Sequence, residues 1–190
     1  MAPLNSLPTA GSLAARAPGL DGHQPPDREE FRGVLGRFAT GITVLTVRSS
    51  VPRGMTANAF ASVSLDPPLV LVCVHREAVI HQAVLDSESF AISVLAAHQE
   101  HVARYFASHT RPRGTSEFDA VPWTPGPQTR APILDGALAW LECRVTGAHE
   151  GGDHSIFLGS VLNLGRGPGR GALLFFRSSY HRLEDGQPPS

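Results

Sequence analysis

The residues best suited to chemistry lie in one segment, 54–76, where small polar residues lead directly into an apolar strand. Residues 55–58, Met-Thr-Ala-Asn, open the segment, and a strand is predicted over 69–75. Short side chains leave backbone N–H groups open to a flat or anionic ligand, while the strand needs a buried sheet around it. The pattern favours a ligand-binding edge. The alternative is a polar turn in which Thr56 and Asn58 bond to their own backbone.

Two further clusters carry hydroxyl or imidazole groups. Residues 62–64, Ser-Val-Ser, could hold a polar ligand, but serines on an edge strand are usually solvated. Residues 152–154, Gly-Asp-His, place an imidazole just before a strand, where a lone histidine is more often an ordinary loop residue. On residue types alone, both clusters remain open between binding and structure.

A metal site is an alternative interpretation of residues 149–154, since His149, Glu150, Asp153 and His154 all carry ligating atoms. Their spacing fits no standard zinc pattern, and no second ligand cluster accompanies them. We therefore predict no metal.

Composition narrows the function further. The chain has 190 residues and a net charge of −1, and all 16 of its basic residues are arginine. Nucleic-acid surfaces need an excess of basic groups, so that partner class is excluded. No apolar run approaches the length of a membrane span, and the N-terminus lacks a secretory pattern.

The two cysteines, Cys73 and Cys143, each lie in an apolar strand pattern and are predicted to be core thiols rather than a disulfide. This predicts a reducing, cytoplasmic setting.

The chain is predicted to contain one ordered domain. Residues 1–26 are rich in Pro, Gly, Ala and Ser and are expected to be a disordered leader, with the domain over 27–185 and a tail over 186–190. A capping pattern at Asp27 starts a helix that should end near residues 40–41, where Gly41 would be its C-cap.

Strands outnumber helices in the rest of the domain. Further helices are predicted over 77–86 and 99–108, and strands over 42–47, 69–75, 90–95, 138–145, 155–164 and 172–176. Residues 110–132 are expected to form a loop and 166–171 a flexible hairpin connection. The spacing lacks the regular rhythm of a doubly wound sheet, so we predict a mainly β fold with helices, a largely antiparallel barrel.

Two of these motifs carry a resemblance. Residues 54–60, Gly-Met-Thr-Ala-Asn-Ala-Phe, and residues 152–154, Gly-Asp-His, resemble signature segments of the flavin reductase-like family, and the likeness covers about residues 31–183. This resemblance implies a split antiparallel β-barrel of the FMN-binding type, usually a homodimer. It also implies an NAD(P)H:flavin oxidoreductase that supplies reduced flavin to a partner flavin-dependent monooxygenase.

In such an enzyme, hydride passes from nicotinamide (NADH or NADPH) to flavin (FMN or FAD), and the protein mainly orients the two rings. The resemblance implies His154 as the catalytic residue, placed near the nicotinamide and the flavin. It implies the following cofactor-binding residues: Thr40, Gly41, Met55, Thr56, Ala57, Asn58, Ser62, Val63, Ser64, Val94, Leu95, Phe106, Asp153, His154 and Tyr180.

The chain departs from the family pattern at two positions. Ala59 replaces a usual serine, and Ser93 replaces a usual asparagine, so contacts from those two side chains are missing, while backbone contacts from Val94 and Leu95 would remain. The rival interpretation is a split-barrel protein that binds flavin without turning it over. A monooxygenase acting alone is a weaker alternative, because little of the sequence could form an aromatic substrate pocket.

Overall fold

The computed structural model describes residues 24–112 and 114–184. The predicted leader thus lies outside the described residues except for 24–26, and so does the predicted tail. The strands are β1 (Thr40–Gly41), β2 (Thr43–Val47), β3 (Arg53–Ala57), β4 (Phe60–Leu65), β5 (Pro68–His75), β6 (Ser89–Val94), β7 (Trp123–Pro125), β8 (Pro132–Leu134), β9 (Ala139–Gly151), β10 (His154–Arg166), β11 (Ala172–Phe176) and β12 (Ser179–Leu183). The helices are α1 (Arg28–Leu35), α2 (Val79–Ser87) and α3 (Glu100–Ala107), with short 3-10 helices at Ala97–Gln99 and Gly114–Phe118.

Seven strands form the main sheet, in the order β3-β2-β6-β9-β10-β5-β4. A second sheet has the order β1-β11-β12, and β7 pairs with β8 in a third. All of these strand pairings are antiparallel. The prediction of a mainly β, antiparallel fold with few helices is confirmed.

Alternation of side chains explains why the central strands are buried. In β5, the side chains of Val70, Val72 and Val74 point into the core while the residues between them are half-buried. Cys143 belongs to the same core, where burial, and then the neighbouring Glu142 charge, raise the pKa of its thiol to about 12. Cys73 and Cys143 are both free thiols, although Cys73 is only half-buried.

The start of α1 follows the sequence prediction, but its end does not. The Asp27 carboxylate accepts hydrogen bonds from the N–H groups of Glu29 and Glu30, as an N-cap should. The helix then ends at Leu35 rather than near residues 40–41. Thr40 and Gly41 instead form β1 and pair with β11, so the prediction of a glycine C-cap at Gly41 was wrong.

Two more expectations were wrong for tertiary reasons. The predicted loop over 110–132 contains a 3-10 helix and β7. The segment 166–171 was expected to be a flexible connection, yet it packs tightly against residues 136–138: the N–H groups of Gly167 and Gly169 donate to the carbonyls of Leu138 and Ala137. A Cβ at Gly167 would overlap the Ala137 carbonyl, so the glycine is needed for close approach.

A helix able to cross a bilayer would have to be long and apolar, and none in the described ranges is both.

Candidate active site

An open cleft of about 550 Å³ lies between β3, the start of α2 and the segment that follows α3. Its lining consists of Arg53, Gly54, Met55, Thr56, His75, Glu77, Ala78, Val79, Ile80, Phe106, Ala107, His109, Arg111 and Glu117. Three of the predicted site residues, Met55, Thr56 and Phe106, therefore meet here. The cleft is a concave feature to which three predicted residues contribute, which makes it the first place to look for a bound nucleotide.

A buried carboxylate holds one wall of the cleft together. Glu117, whose side chain is only 2% exposed, lies 3.1 Å from both Arg53 Nη1 and Arg111 Nη2. Its Oε1 also accepts the backbone N–H of Gly54 at 3.0 Å. Arg111 further donates to the carbonyls of Gly54, Phe106 and Ser108, and so ties β3 to the end of α3.

This cluster leaves a surplus of positive charge in the wall. Two guanidinium groups share one carboxylate, and Arg53 is the more exposed of the two at 25%. The exposed Glu77 is the other carboxylate among the lining residues. A partly desolvated guanidinium suits the phosphate of a nucleotide, because its planar N–H donors match phosphate oxygens.

The Met55–Asn58 segment is more deeply engaged in the fold than its sequence suggested. The Thr56 hydroxyl donates to the Ala103 carbonyl at 2.7 Å, so its proton is not available to a ligand. Ala57 packs into the core of the main sheet, and only Asn58 is fully exposed. Phe106 is 1% exposed and forms the floor beneath Gly54.

A second group of predicted residues meets at one end of the sheets rather than in the cleft. Thr43 pairs with Ala57 on one side and Val94 on the other, which places those two residues in one row. Leu95 follows and donates its N–H to the Ile42 carbonyl, while its own carbonyl accepts from Leu173.

This row shows which backbone groups already have partners. The N–H of Leu95 donates to Ile42, and the carbonyl of Val94 accepts from Leu138. Because a carbonyl has two lone pairs, backbone contacts from Val94 and Leu95 to a flavin stay a prediction, with the carbonyls as the groups that could make them. A hydroxyl nearby is different: Thr40 Oγ1 is buried and has no hydrogen-bond partner among the described residues.

Tyr180 lies beside the same end of the molecule. It pairs with Phe175 across β11 and β12, and Phe175 in turn pairs with Thr40. The Arg104 guanidinium sits 4.7 Å from the Tyr180 ring centre, and burial raises the pKa of the phenol. Tyr180 is thus a half-buried ring separated from Thr40 by Phe175 of the intervening strand, and it is not a lining residue of the cleft.

The serine segment lies on β4, the edge strand next to β5. The register shifts between Ser62 and Ser64, so Val63 forms a bulge and is 47% exposed. Bulges are common at sheet edges beside binding sites, where they re-aim side chains. The structure places Ser62, Val63 and Ser64 at the surface and away from the cleft lining.

The predicted catalytic histidine lies at the start of β10, beside a residue that the sequence did not single out. His154 Nδ1 is 2.7 Å from Asp153 Oδ1, and this hydrogen bond lowers the pKa of the Asp153 carboxyl. His75, the last residue of β5, faces His154 with ring centres 5.1 Å apart. Because His75 also lines the cleft, it connects His154 to Met55 and Thr56.

Sequence reasoning missed four residues of this site: Arg53, His75, Arg111 and Glu117. The ion cluster joins residues far apart in sequence, and no local pattern marks it. His75 did carry a signal, since a polar ring ends an otherwise apolar strand, but its meaning depends on its partner in β10. No group of three metal-ligating side chains occurs within 24–112 and 114–184.

Comparison with known proteins places this geometry in a family. The model of the flavin reductase like domain matches residues 35–184. An NADH-dependent FAD reductase from Streptomyces globisporus is 51% identical over 167 residues, which cover 88% of this chain and 92% of that protein. The reductase subunit HsaB of a flavin-dependent monooxygenase from Mycobacterium tuberculosis is 38% identical over 161 residues, covering 83% of each chain.

Solved structures agree. BorF, the flavin reductase component of a bacterial two-component tryptophan halogenase, superposes with a TM-score of 0.81 at 48% identity, covering 84% of this chain and all of that one. The family match spans nearly all of the described residues, and the relatives match over most of their own length. The chain therefore belongs to the flavin reductase-like domain family.

Proposed function

We propose that this protein reduces flavin (FMN or FAD) with NADH or NADPH and supplies the reduced flavin to a partner flavin-dependent monooxygenase. The observation that carries the proposal is the cleft lined by Met55, Thr56 and His75, because the His75 ring also contacts His154. The relatives support it, since they are an NADH-dependent FAD reductase and a reductase subunit of a monooxygenase. Because the FAD reductase among these relatives uses NADH, we propose NADH and FAD as the preferred pair.

The residues present fit a flavin. Thr40 Oγ1 is a buried hydroxyl that has no hydrogen-bond partner in the part of the chain that the structure describes, and it lies next to Gly41, where a ligand could approach without meeting a described side chain. Asn58 adds an exposed amide. Flavin supplies the hydride chemistry when bound, by accepting hydride at N5 from C4 of the nicotinamide.

The protein's part is orientation. Met55 and Thr56 form one side of the cleft, Arg53 brings positive charge for a nucleotide phosphate, and His154 stands near the cleft mouth beside His75. Holding the hydride donor and acceptor in contact supplies a large share of the lowering of the activation barrier in reactions of this kind. The remaining residues implied by the family resemblance, in particular Ser62, Ser64 and Tyr180, stay predictions of flavin contact.

The proposal is tested by mixing the purified protein with NADH or NADPH, with and without FAD, FMN or riboflavin, and following nicotinamide oxidation. We expect turnover that depends on added flavin, fastest with FAD and NADH. Flavin binding by fluorescence quenching without turnover in any combination would overturn the proposal and leave the non-catalytic flavin-binding protein.

His154→Ala gives a direct prediction for the site. We expect kcat/KM for NADH to fall about 10- to 100-fold through loss of orientation, while the Kd for FAD changes less than about 2-fold. Steady-state kinetics and fluorescence titration measure the two quantities. His149→Ala, on the same hairpin, is the matched control and should leave both unchanged; equal activity of the two variants would contradict the assignment.

The finer fold proposal is a split β-barrel of the FMN-binding type. Strands β3 and β4 are the two edges of the seven-stranded sheet, yet only residues 58–59 connect them. Two residues span little more than about 10 Å, so the edges must approach each other at this point and the sheet must curl strongly. The Cys73 N–H of β5 also donates to the carbonyl of Ala59, which lies in this connection.

We also propose a homodimer, supported by four exposed apolar residues on α1 and just after it. The helix buries none of its residues, and Phe38 lies three residues beyond its end. The exposed fractions are 50% for Phe31, 64% for Val34, 55% for Leu35 and 75% for Phe38. Exposed apolar faces usually mark a protein interface.

The dimer proposal predicts the effect of charges on that face. In Val34→Glu/Phe38→Glu, burying two carboxylates against apolar side chains would disfavour association, so the mass measured by light scattering should halve. Arg28→Glu, on the same helix, is the control and should leave the mass unchanged. A wild-type protein that is already monomeric would refute the proposal.

Domain limits and location complete the proposal. The domain extends over 27–185, which the family match over 35–184 supports. The free thiols of Cys73 and Cys143 support a cytoplasmic location.

A further inference from the structure

Two strands of the main sheet bring a second imidazole next to His154. His75 ends β5 and pairs directly with His154, the first residue of β10. Residues directly opposite in an antiparallel pair project from the same face, about 5 Å apart at Cβ. The rings accordingly meet edge to face, with centres 5.1 Å apart.

The backbone fixes which nitrogen of His75 carries the proton. The N–H of Glu77 donates to His75 Nδ1 at 3.2 Å, so this nitrogen must be an acceptor. The proton of the neutral ring is then on Nε2. That nitrogen faces Asp153 Oδ2 at 3.9 Å, close enough for a shared electrostatic contact but not for a direct hydrogen bond.

Asp153 fixes the tautomer of His154 in turn. Its carboxylate is acceptor-only when ionised, and the hydrogen bond to His154 holds its pKa low, so the 2.7 Å contact requires a proton on His154 Nδ1. The Nε2 of neutral His154 therefore keeps its lone pair. This nitrogen can accept a hydrogen bond from a ligand N–H.

We propose that His75 is a positioning residue: through Asp153 it holds His154 as the Nδ1–H tautomer, with Nε2 presented to the carboxamide NH2 of the nicotinamide. The identity of the ligand, nicotinamide, rests on the proposed function, whereas the geometry of His75, Asp153 and His154 does not. The two oxygens of Asp153 face different rings: Oδ1 is hydrogen-bonded to His154, and Oδ2 is in the longer electrostatic contact with His75, so rotation of the carboxylate would change both contacts.

Other charges surround the pair without competing for Asp153 in the described structure. Arg76 pairs with Glu150 at 3.6 Å, and the Arg76 N–H donates to the Asp153 carbonyl at 3.0 Å, which anchors the backbone of the turn. The side chains of His75 and His154 are each 41% exposed. Water screens such contacts, so the expected effect is on orientation and is moderate in size.

The tautomer is measured directly by long-range proton–nitrogen NMR of the 15N-labelled full chain, at a pH where the imidazoles are neutral. The His154 signals are assigned by comparison with His154→Gln. We expect wild-type His154 to be protonated at Nδ1. In His75→Phe, which keeps a ring but no N–H, we expect the Nε2–H form to become populated. His75→Gln, which retains an N–H at the ε position, should restore the wild-type spectrum.

Kinetics supply the second readout. We expect His75→Phe to raise KM for NADH about 3- to 10-fold, in line with one lost hydrogen bond, with KM for FAD unchanged. His75→Gln should lie within about 2-fold of wild type. His149→Phe makes the same chemical change elsewhere on the hairpin and should have no effect.

The outcomes separate this inference from the proposed function. If the wild-type protein shows no flavin-dependent turnover, the proposed function fails, and the NMR spectra still decide the role of His75. If turnover is normal and His75→Phe retains both the Nδ1–H form and the wild-type KM, the positioning role is refuted while the reductase stands. A wild-type His154 protonated at Nε2 would also refute it.

Discussion

Replacing Glu117 by alanine is expected to lower the free energy of unfolding by about 3–5 kcal/mol, the loss typical of removing one partner from a buried ion pair. The variant leaves Arg111, 15% exposed, without its carboxylate and the Gly54 N–H without its acceptor. Arg111 keeps its three backbone carbonyls, so the wall should loosen rather than collapse.

Urea unfolding at one protein concentration measures this change as a shift in midpoint at constant slope. Glu100→Ala is the matched control, because Glu100 also lies between two arginines, Arg104 and Arg182, but both of these are more than half exposed. It should lose less than about 1 kcal/mol. A loss that small for Glu117→Ala would mean that water replaces the carboxylate and that the cluster does not hold β3.

The second large effect is expected at Glu142, which is fully buried on β9. Its Oε1 accepts from the N–H groups of Gln128 and Thr129 and from the Thr129 hydroxyl, and its Oε2 from the Asn163 amide. Glu142→Ala removes the acceptor for four donors and opens a cavity. We expect a loss of about 3 kcal/mol or more, measured by the same unfolding experiment.

Two further variants test the cause. Glu142→Gln keeps an acceptor for the loop and should lose markedly less than alanine. A Cβ on Gly126 would overlap Glu142 Oε1, so Gly126→Ala should destabilise the wild type but be tolerated beside Glu142→Ala, where the carboxylate is gone. We expect a coupling energy of at least about 1 kcal/mol in the double-mutant cycle. Additive effects would exclude the packing explanation.

Glu142 also shows where prediction from sequence stops. Alternation along β9 puts Glu142 on the same face as Trp140 and Arg144, opposite Cys143. A charged residue on that face is expected to be exposed. Residues 126–131 cover that face, and the N–H groups of Gln128 and Thr129 in this segment donate to Glu142. The sequence of β9 itself does not predict this segment. Whether a charged residue of a strand is buried depends on the segment that packs over it, and the alternation of residues along the strand does not reveal that segment.

Elements defined by local physics were predictable. The Asp27 cap is set within one turn, and the alternating valines of β5 require a strand with one face in the core. By contrast, β12, with the sequence Ser-Tyr-His-Arg-Leu, is mostly exposed and forms because β11 offers it an edge. Thr40 and Gly41 were assigned to a helix end because their pairing with β11 is equally nonlocal.

The candidate site likewise contains residues that the sequence predicts and residues that only the structure identifies. The Met55–Asn58 segment and His154 were predicted because their motifs resemble those of the family, whereas residue types alone left both open. His75 and Glu117 were identified only when the register of β5 with β10 and the hydrogen bonds from Arg111 and Glu117 to Gly54 of β3 were known. Such residues shape the site by contact, and contacts between distant segments cannot be inferred from composition or spacing alone.

The bulged edge strand β4 and its neighbour β5 differ in their resistance to local unfolding. From Leu69 to Val72, β5 is paired on both sides, by β10 and β4, whereas β4 is an edge strand interrupted by the bulge at Val63. Detaching β4 breaks one ladder, but detaching this central part of β5 breaks two, so the lower opening free energy belongs to the serine segment. His75 lies beyond the β4 ladder and pairs with His154 alone, so the geometry of the two imidazoles depends on the β5–β10 ladder and not on β4. Opening of the serine segment would therefore leave the imidazole pair in place.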